Sequence, residues 1–173
     1  MSAHFSPCRT WRYSLTRDVA PLTGHGTVTF IGLNPSTADE QTDDPTIRRC
    51  TDFARRWGFA RLTMVNLNAF RATDPSVMLD ADDPVGPDND RAIAEAVGRS
   101  DLVVCAWGIN AIEERAREAL SLVPAPHCLE LTKHGAPRHP LYVKATTTPM
   151  PLGRGSRPRE GARPWPATVI TTV

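Results

Sequence analysis

Polar side chains recur where apolar runs stop. Thr27–Ile31 ends in Gly32-Leu33-Asn34-Pro35-Ser36, and Arg61–Val65 ends in Asn66-Leu67-Asn68. Asp101–Ala106 ends in Trp107-Gly108, and His127–Leu131 leads to Arg138-His139-Pro140-Leu141-Tyr142. Carboxamides such as Asn34 and Asn66 offer a donor and an acceptor together but are not bases at neutral pH, whereas an imidazole such as His139 can donate or accept. A base, if one is needed, must come from a carboxylate, and Asp39, Asp43 and Asp44 follow Asn34 in the same loop. Each has a blander use: Asn34 as a turn residue that tolerates left-handed geometry, Asp44 as a helix cap, Asp39 in solvent, His139 as a structural residue before Pro140.

These residues need a scaffold that brings distant strand ends to one edge. Thr27–Ile31 reads as a buried strand, because an apolar run closed by Gly, Asn and Pro is how a central parallel strand meets its loop. A helix over 44–58 follows, with Asp44 as N-cap, Pro45 at the first turn, and Gly58 as the stop. Ile47, Cys50, Phe53 and Trp57 share its inward face, leaving Arg48, Arg49, Arg55 and Arg56 outside. Further strands are expected at 61–66, 101–106 and 126–131, and helices at 88–98 and 109–121 with Ile112, Ala116 and Leu120 inward. Residues 74–88 read as an ordered surface loop. Residues 1–26 are polar, with Trp11–Leu15 as a possible edge strand.

Four apolar runs alternating with helices imply an α/β fold, a three-layer αβα sandwich on a central four-stranded parallel sheet with right-handed crossovers. In such sheets ligands bind beyond the carboxyl ends of the strands. The chain is expected to form a single domain over 1–145, followed by a mobile Pro/Arg-rich C-terminal segment over 146–173.

The 173 residues suffice for a full core, and 40% hydrophobic with 23% charged residues is ordinary for a soluble protein. A net charge of +1 sets up no global field for a polyanion, although a local basic patch is compatible with it. Cys8, Cys50, Cys105 and Cys128 include no CxxC pair and read as buried reduced thiols, and His127, Cys128, His134 and His139 are too loosely spaced for a metal site. No metal and no cofactor are therefore expected. No apolar leader or membrane-length run is present, so a cytoplasmic monomer with no membrane partner is expected.

Longer motifs join these positions: Leu33-Asn34-Pro35-Ser36-Thr37-Ala38, Asp44-Pro45-Thr46, Arg48-Arg49-Cys50, Asn66-Leu67 with Phe70-Arg71, Asp83-Pro84-Val85-Gly86-Pro87, Ala106-Trp107-Gly108, and Pro137-Arg138-His139-Pro140-Leu141-Tyr142. Over about residues 30–143 the chain resembles the DUF1643 family. Its four strand-end signatures also resemble those of the uracil-DNA glycosylase superfamily. That second resemblance implies a uracil-DNA-glycosylase-like domain that extrudes a base from DNA and hydrolyses its N-glycosidic bond, with uracil or a 5-substituted uracil such as 5-hydroxymethyluracil as the target.

In that superfamily the Asn of the first motif positions the attacking water, which implies this role for Asn34. Asn66, with Asn68 as alternative, would read the Watson–Crick edge of the base. Gly32, Leu33, Pro35 and Trp107 would complete the base pocket. His139 would donate to the base oxygen, as in the last motif His-Pro-Ser-Pro, although Leu141-Tyr142 replaces Ser-Pro here. Phosphate contacts are expected from Ser36, Arg48, Arg49, Arg71, Lys133, Arg138 and Lys144, together with Tyr142. Tyr142, Met150 or Leu152 would supply a wedge, and Arg154, Arg157, Arg159 and Arg163 a nonspecific attraction. Asn34 cannot take the proton of water, so one of Asp39, Asp43 and Asp44 would supply the carboxylate. The alternative is a non-catalytic or small-molecule module that binds a nucleotide or nucleobase in the same pocket.

Overall fold

The computed structural model describes residues 1–153. The strands are β1 (Ser2–Phe5), β2 (Arg12–Asp18), β3 (His25–Gly32), β4 (Phe59–Asn66), β5 (Leu102–Cys105), β6 (Pro126–Cys128) and β7 (Met150–Pro151). The helices are α1 (Pro45–Arg56), α2 (Pro75–Leu79), α3 (Asn89–Gly98) and α4 (Glu113–Ser121), and a 3-10 turn covers Pro140–Tyr142.

One seven-stranded sheet runs in the order β1-β2-β4-β3-β5-β6-β7. The inner strands β4, β3, β5 and β6 are mutually parallel. The expected four-stranded sheet is therefore enlarged: β2 adds antiparallel to β4, β1 to β2, and β7 to β6. Arg12–Leu15 of the expected stretch falls in a strand paired on both sides, so β1 and not β2 forms that edge, and Trp11 only bridges to Phe70. The antiparallel additions carry buried arginines, Arg12 and Arg17, on β2. An apolar count passes over such a strand because its guanidinium groups find their acceptors in distant segments.

Alternation along the parallel strands supplies two cores. Ile31, Val65, Val103 and Cys105 face one side, where they meet Met78 of α2, Ile93 of α3, and Ala116 and Leu120 of α4. Phe30, Met64 and Val104 face the other, against Ile47, Cys50, Phe53 and Ala54 of α1. Helices on both faces make three layers, as a mainly parallel sheet buried on both sides requires.

α1 starts as its sequence dictates. The Asp44 carboxylate accepts from the Ile47 N–H at 2.8 Å and Pro45 occupies the first turn. Trp57 caps its end and stacks on Phe30 and Phe53. α4 starts later than expected, at Glu113, and Ile112 is its exposed N-cap residue, 51% accessible, not a core residue. The 74–88 segment contains the short α2, whose Met78 is fully buried.

The chain still adds to the fold beyond residue 145. Met150–Pro151 form β7, and Leu152 enters the core. The expectations for the rest of the C-terminal segment, including Arg154, Arg157, Arg159 and Arg163, lie outside the described residues. All four cysteines are free, and three are buried. Cys8 is exposed, contrary to expectation, and its thiol is pulled down to about 7 by hydrogen bonds from Ser6 and Thr10.

Candidate functional site

Chain reversal defines where a pocket can form. β3 passes through α1 to β4 on one side, and the chain then crosses back to β5 on the other side of β3. Connections that leave in opposite directions open a crevice at the carboxyl ends of β3 and β5. The loops there are laced together. Leu67 N–H donates to Gly32 O, Asn68 N–H to Leu33 O, Ala72 N–H to Pro35 O, and Gly108 N–H to Pro137 O at 2.8 Å.

A cavity of about 920 Å³ occupies this crevice. It is lined by Gly32, Leu33, Asn34 and Ser36 after β3, by Asn66 at the end of β4, and by Trp107 and Gly108 after β5. Arg138, His139 and Tyr142 close it from the loop after β6, and Asp44 from the start of α1. Pro35, Asn68, Arg48, Arg49, Arg71 and Lys144 are expected site residues that do not line it. Asn68 is buried beside Leu33, and Pro35 acts through its carbonyl, which accepts from Asn34 and Ala72.

The polar groups in the cavity have defined hydrogen-bonding senses. Asn34 Nδ2 donates to Pro35 O at 3.0 Å and to Ala72 O at 2.7 Å. Its amide protons are thus spent on backbone, and Oδ1 remains as an acceptor. Asn66 is the reverse case. Arg12 Nη2 donates to its Oδ1 at 3.3 Å, and Nδ2 has no protein acceptor among the described residues. A Cβ on residue 32 would lie 2.7 Å from that Nδ2, so Gly32 makes room for the amide.

His139 accepts at Nδ1 from the Leu141 N–H, 3.4 Å, which places the proton of a neutral ring on Nε2. Burial lowers its pKa below the ordinary 6.5, opposed by the nearby Asp44 charge. The ring is therefore neutral at pH 7 and presents a donor. Gly108, at φ +80°, turns the chain beside it, with 3.5 Å between a would-be Cβ and His139 Cβ.

The three loop aspartates separate cleanly. Asp39 Oδ1 accepts from the Gln41 and Thr42 N–H groups, which hold its pKa down. Asp43 pairs with buried Arg17 at 2.8 Å. Asp44 alone of the three lines the cavity, while also capping α1.

The expected phosphate-gripping arginines are mostly committed elsewhere. Arg49 donates to Pro140 O and Val143 O and lies over Phe53, so it pins the turn after His139 to α1. Arg71 lies over Phe5 and donates to Arg9 O. Arg48 is exposed and donates to Asp43 O. Arg138 faces the cavity but is paired with Glu130 at 3.0 Å. Lys133 is exposed at the rim with no carboxylate partner among the described residues. Of the three wedge candidates, Tyr142 is 74% exposed at the cavity mouth, whereas Leu152 is core and thereby excluded. Met150 is half-exposed on β7.

Sequence reasoning passed over Arg12, Ile109, Asn110 and Thr132, which also line the cavity. Arg12 had a signal, a charge between Trp11 and Tyr13 in an alternating stretch. Among the described residues no three His, Cys, Asp or Glu side chains cluster to hold a metal. No helix there is long and apolar enough to cross a membrane.

Fold and cavity define an α/β protein with a pocket at the carboxyl edge of its parallel strands. The family described as protein of unknown function (DUF1643) matches residues 12–141, and the chain belongs to that family. No curated protein and no solved structure matches it.

Proposed function

We propose that the protein is a DNA N-glycosylase of uracil-DNA-glycosylase-like architecture that hydrolyses the bond between deoxyribose and uracil or a 5-substituted uracil. The observation that carries this reading is the convergence in one cavity of an acceptor amide (Asn34), a donor amide (Asn66), a neutral donor imidazole (His139) and one carboxylate (Asp44). The parallel-strand order β4-β3-β5-β6 supports the same architecture.

Cleavage moves the C1′–N1 electron pair onto the base while water oxygen bonds to C1′. Donors at the base oxygens stabilise the developing anion, and this is the role of His139 Nε2–H and Asn66 Nδ2–H. Asn34 Oδ1 orients the water by accepting one of its protons in a hydrogen bond. Asp44 takes the proton that water loses. The base anion then takes up a proton from solvent and Asp44 returns its own to solvent, so the products are the free base and an abasic sugar.

The test is base release from oligonucleotides carrying uracil, 5-hydroxymethyluracil, hypoxanthine or mismatched thymine, in single and double strands. Release that falls with Asn34→Ala and His139→Ala is expected. A chain that cuts none of these substrates is not a glycosylase of this kind.

A second reading has its own observation. Arg49 and Arg71 are consumed internally and Arg138 is paired, so few free cations surround the cavity. A module that binds a free nucleotide needs no long phosphate track. Nucleotide binding without salt-sensitive DNA binding would favour it.

A further inference from the structure

We infer that Arg12 is the specificity-determining residue of the cavity, locking the Asn66 amide so that it presents N–H to the ligand and selects a keto oxygen over an amino group. The inference rests on the reading of the cavity as a nucleobase pocket. Arg12 lies on β2, 54 positions from Asn66, and its side chain is 2% exposed. A guanidinium has donors only, so the atom of Asn66 that faces it must be Oδ1. The remaining Nδ2 is left to the ligand, over the gap that Gly32 provides.

Arg12 is itself held in place. Its Nη1 donates to Ala38 O at 2.9 Å, and the Asp44 charge favours its protonated form, although burial lowers its pKa to about 10. It therefore stays charged and donating at neutral pH. Its Nε is enclosed without a protein acceptor. Its side-chain contacts to Ala38 O and to Asn66 Oδ1 fix the guanidinium against the amide.

Uracil offers an acceptor at O4, which meets Nδ2–H. Cytosine offers a donor at N4, which meets a second donor, and a clash of this kind is a strong ground for rejection. Without Arg12 the amide can rotate and offer Oδ1 to the amino group. Discrimination would fall because the wrong base gains.

Calorimetric binding of dUMP and dCMP to the full chain tests this, alongside release of uracil or cytosine from matched single-stranded oligonucleotides. The wild type is expected to prefer dUMP, and Arg12→Met to lower the dUMP/dCMP affinity ratio by at least about tenfold, with Arg12→Lys recovering part of it. Gly32→Ala, which pushes on Asn66 Nδ2 without altering Arg12, is expected to lower the ratio too and covers the case in which Arg12→Met does not fold. A merely structural role would weaken both ligands equally and leave the ratio unchanged, and that outcome overturns the assignment of Arg12 alone. A wild type with no preference overturns it together with the nucleobase reading. Preference for dUMP without any base release refutes the glycosylase and leaves the ratio in Arg12→Met to decide the role of Arg12.

Discussion

The loop from Leu33 to Asp44 is built in two ways. Its middle is a clamp in which most polar groups are spent. Buried Arg17 donates to the Asp43 carboxylate and to the carbonyls of Asp39 and Thr42, and Asp39 accepts from two backbone N–H groups. Its two ends face the cavity with capacity in reserve. Asn34 keeps Oδ1 and Asp44 uses one oxygen on the Ile47 N–H, while Arg12 beside them is held by Ala38 O and Asn66 Oδ1. Both regions bury an arginine from the same strand, so burial does not distinguish them. What distinguishes them is saturation: a group kept for a ligand is one the fold has declined to satisfy.

The contrast breaks if the two carboxylates behave alike. Under the proposed function, Asp44→Asn is expected to lower base release by about a hundredfold or more, the scale of removing a general base. Its stability is expected to change by under about 1 kcal/mol, because Asn also caps helices. Asp43→Asn is expected to keep base release within a few-fold. It should lose about 2 kcal/mol in urea unfolding, less than a fully buried pair because Asp43 is a quarter exposed. Comparable activity losses in both variants would erase the division between clamp and site.

His139 sharpens the cavity side. His139→Ala is expected to lower base release by about a hundredfold, as loss of one preorganised donor does. Its titration adds a sign. The folded-state pKa lies below the ordinary 6.5, so the unfolded chain binds the proton first as pH falls. The stability from this depressed pKa is fully present above pH 6.5 and is lost as pH falls through the folded value. Wild-type unfolding free energy should therefore drop from pH 7.5 towards the folded pKa by more than that of His139→Ala. An equal drop in both would place the titration on another group.

The fold was legible where burial is apolar. Phe30, Ile31, Val65 and Val104 are uninterrupted hydrophobes in strands covered on both faces, and Asp44-Pro45 punctuates α1 without any long-range partner. β2 was not legible as an inner strand, because Arg12 and Arg17 read as polar and are buried largely through partners 22 to 54 residues away. The same limit hid the partners of Arg49. Its position on the helix suggested a phosphate contact, yet its acceptors are Pro140 and Val143, 91 and 94 residues on. Asp39, Asp43 and Asp44 could not be ranked from spacing, since what separates them is which loop atoms come back to meet them.

The smallest effect tests the cavity rim against the clamp. Lys133 lines the cavity, is exposed, and has no carboxylate partner among the described residues, whereas Arg48 is exposed but donates to Asp43 O on the clamp. If DNA is the partner, a phosphate near the cavity meets Lys133 as a free cation and releases one counterion. Lys133→Ala should then reduce the slope of log affinity against log salt by about 0.9 for duplex DNA, with a stability change within about 0.5 kcal/mol. Arg48→Ala should leave the slope close to the wild-type value, because its charge is directed towards the loop. Equal slopes for wild type and Lys133→Ala, measured by fluorescence anisotropy across a salt series, would remove the rim from the DNA contact and shift weight to the free-nucleotide reading.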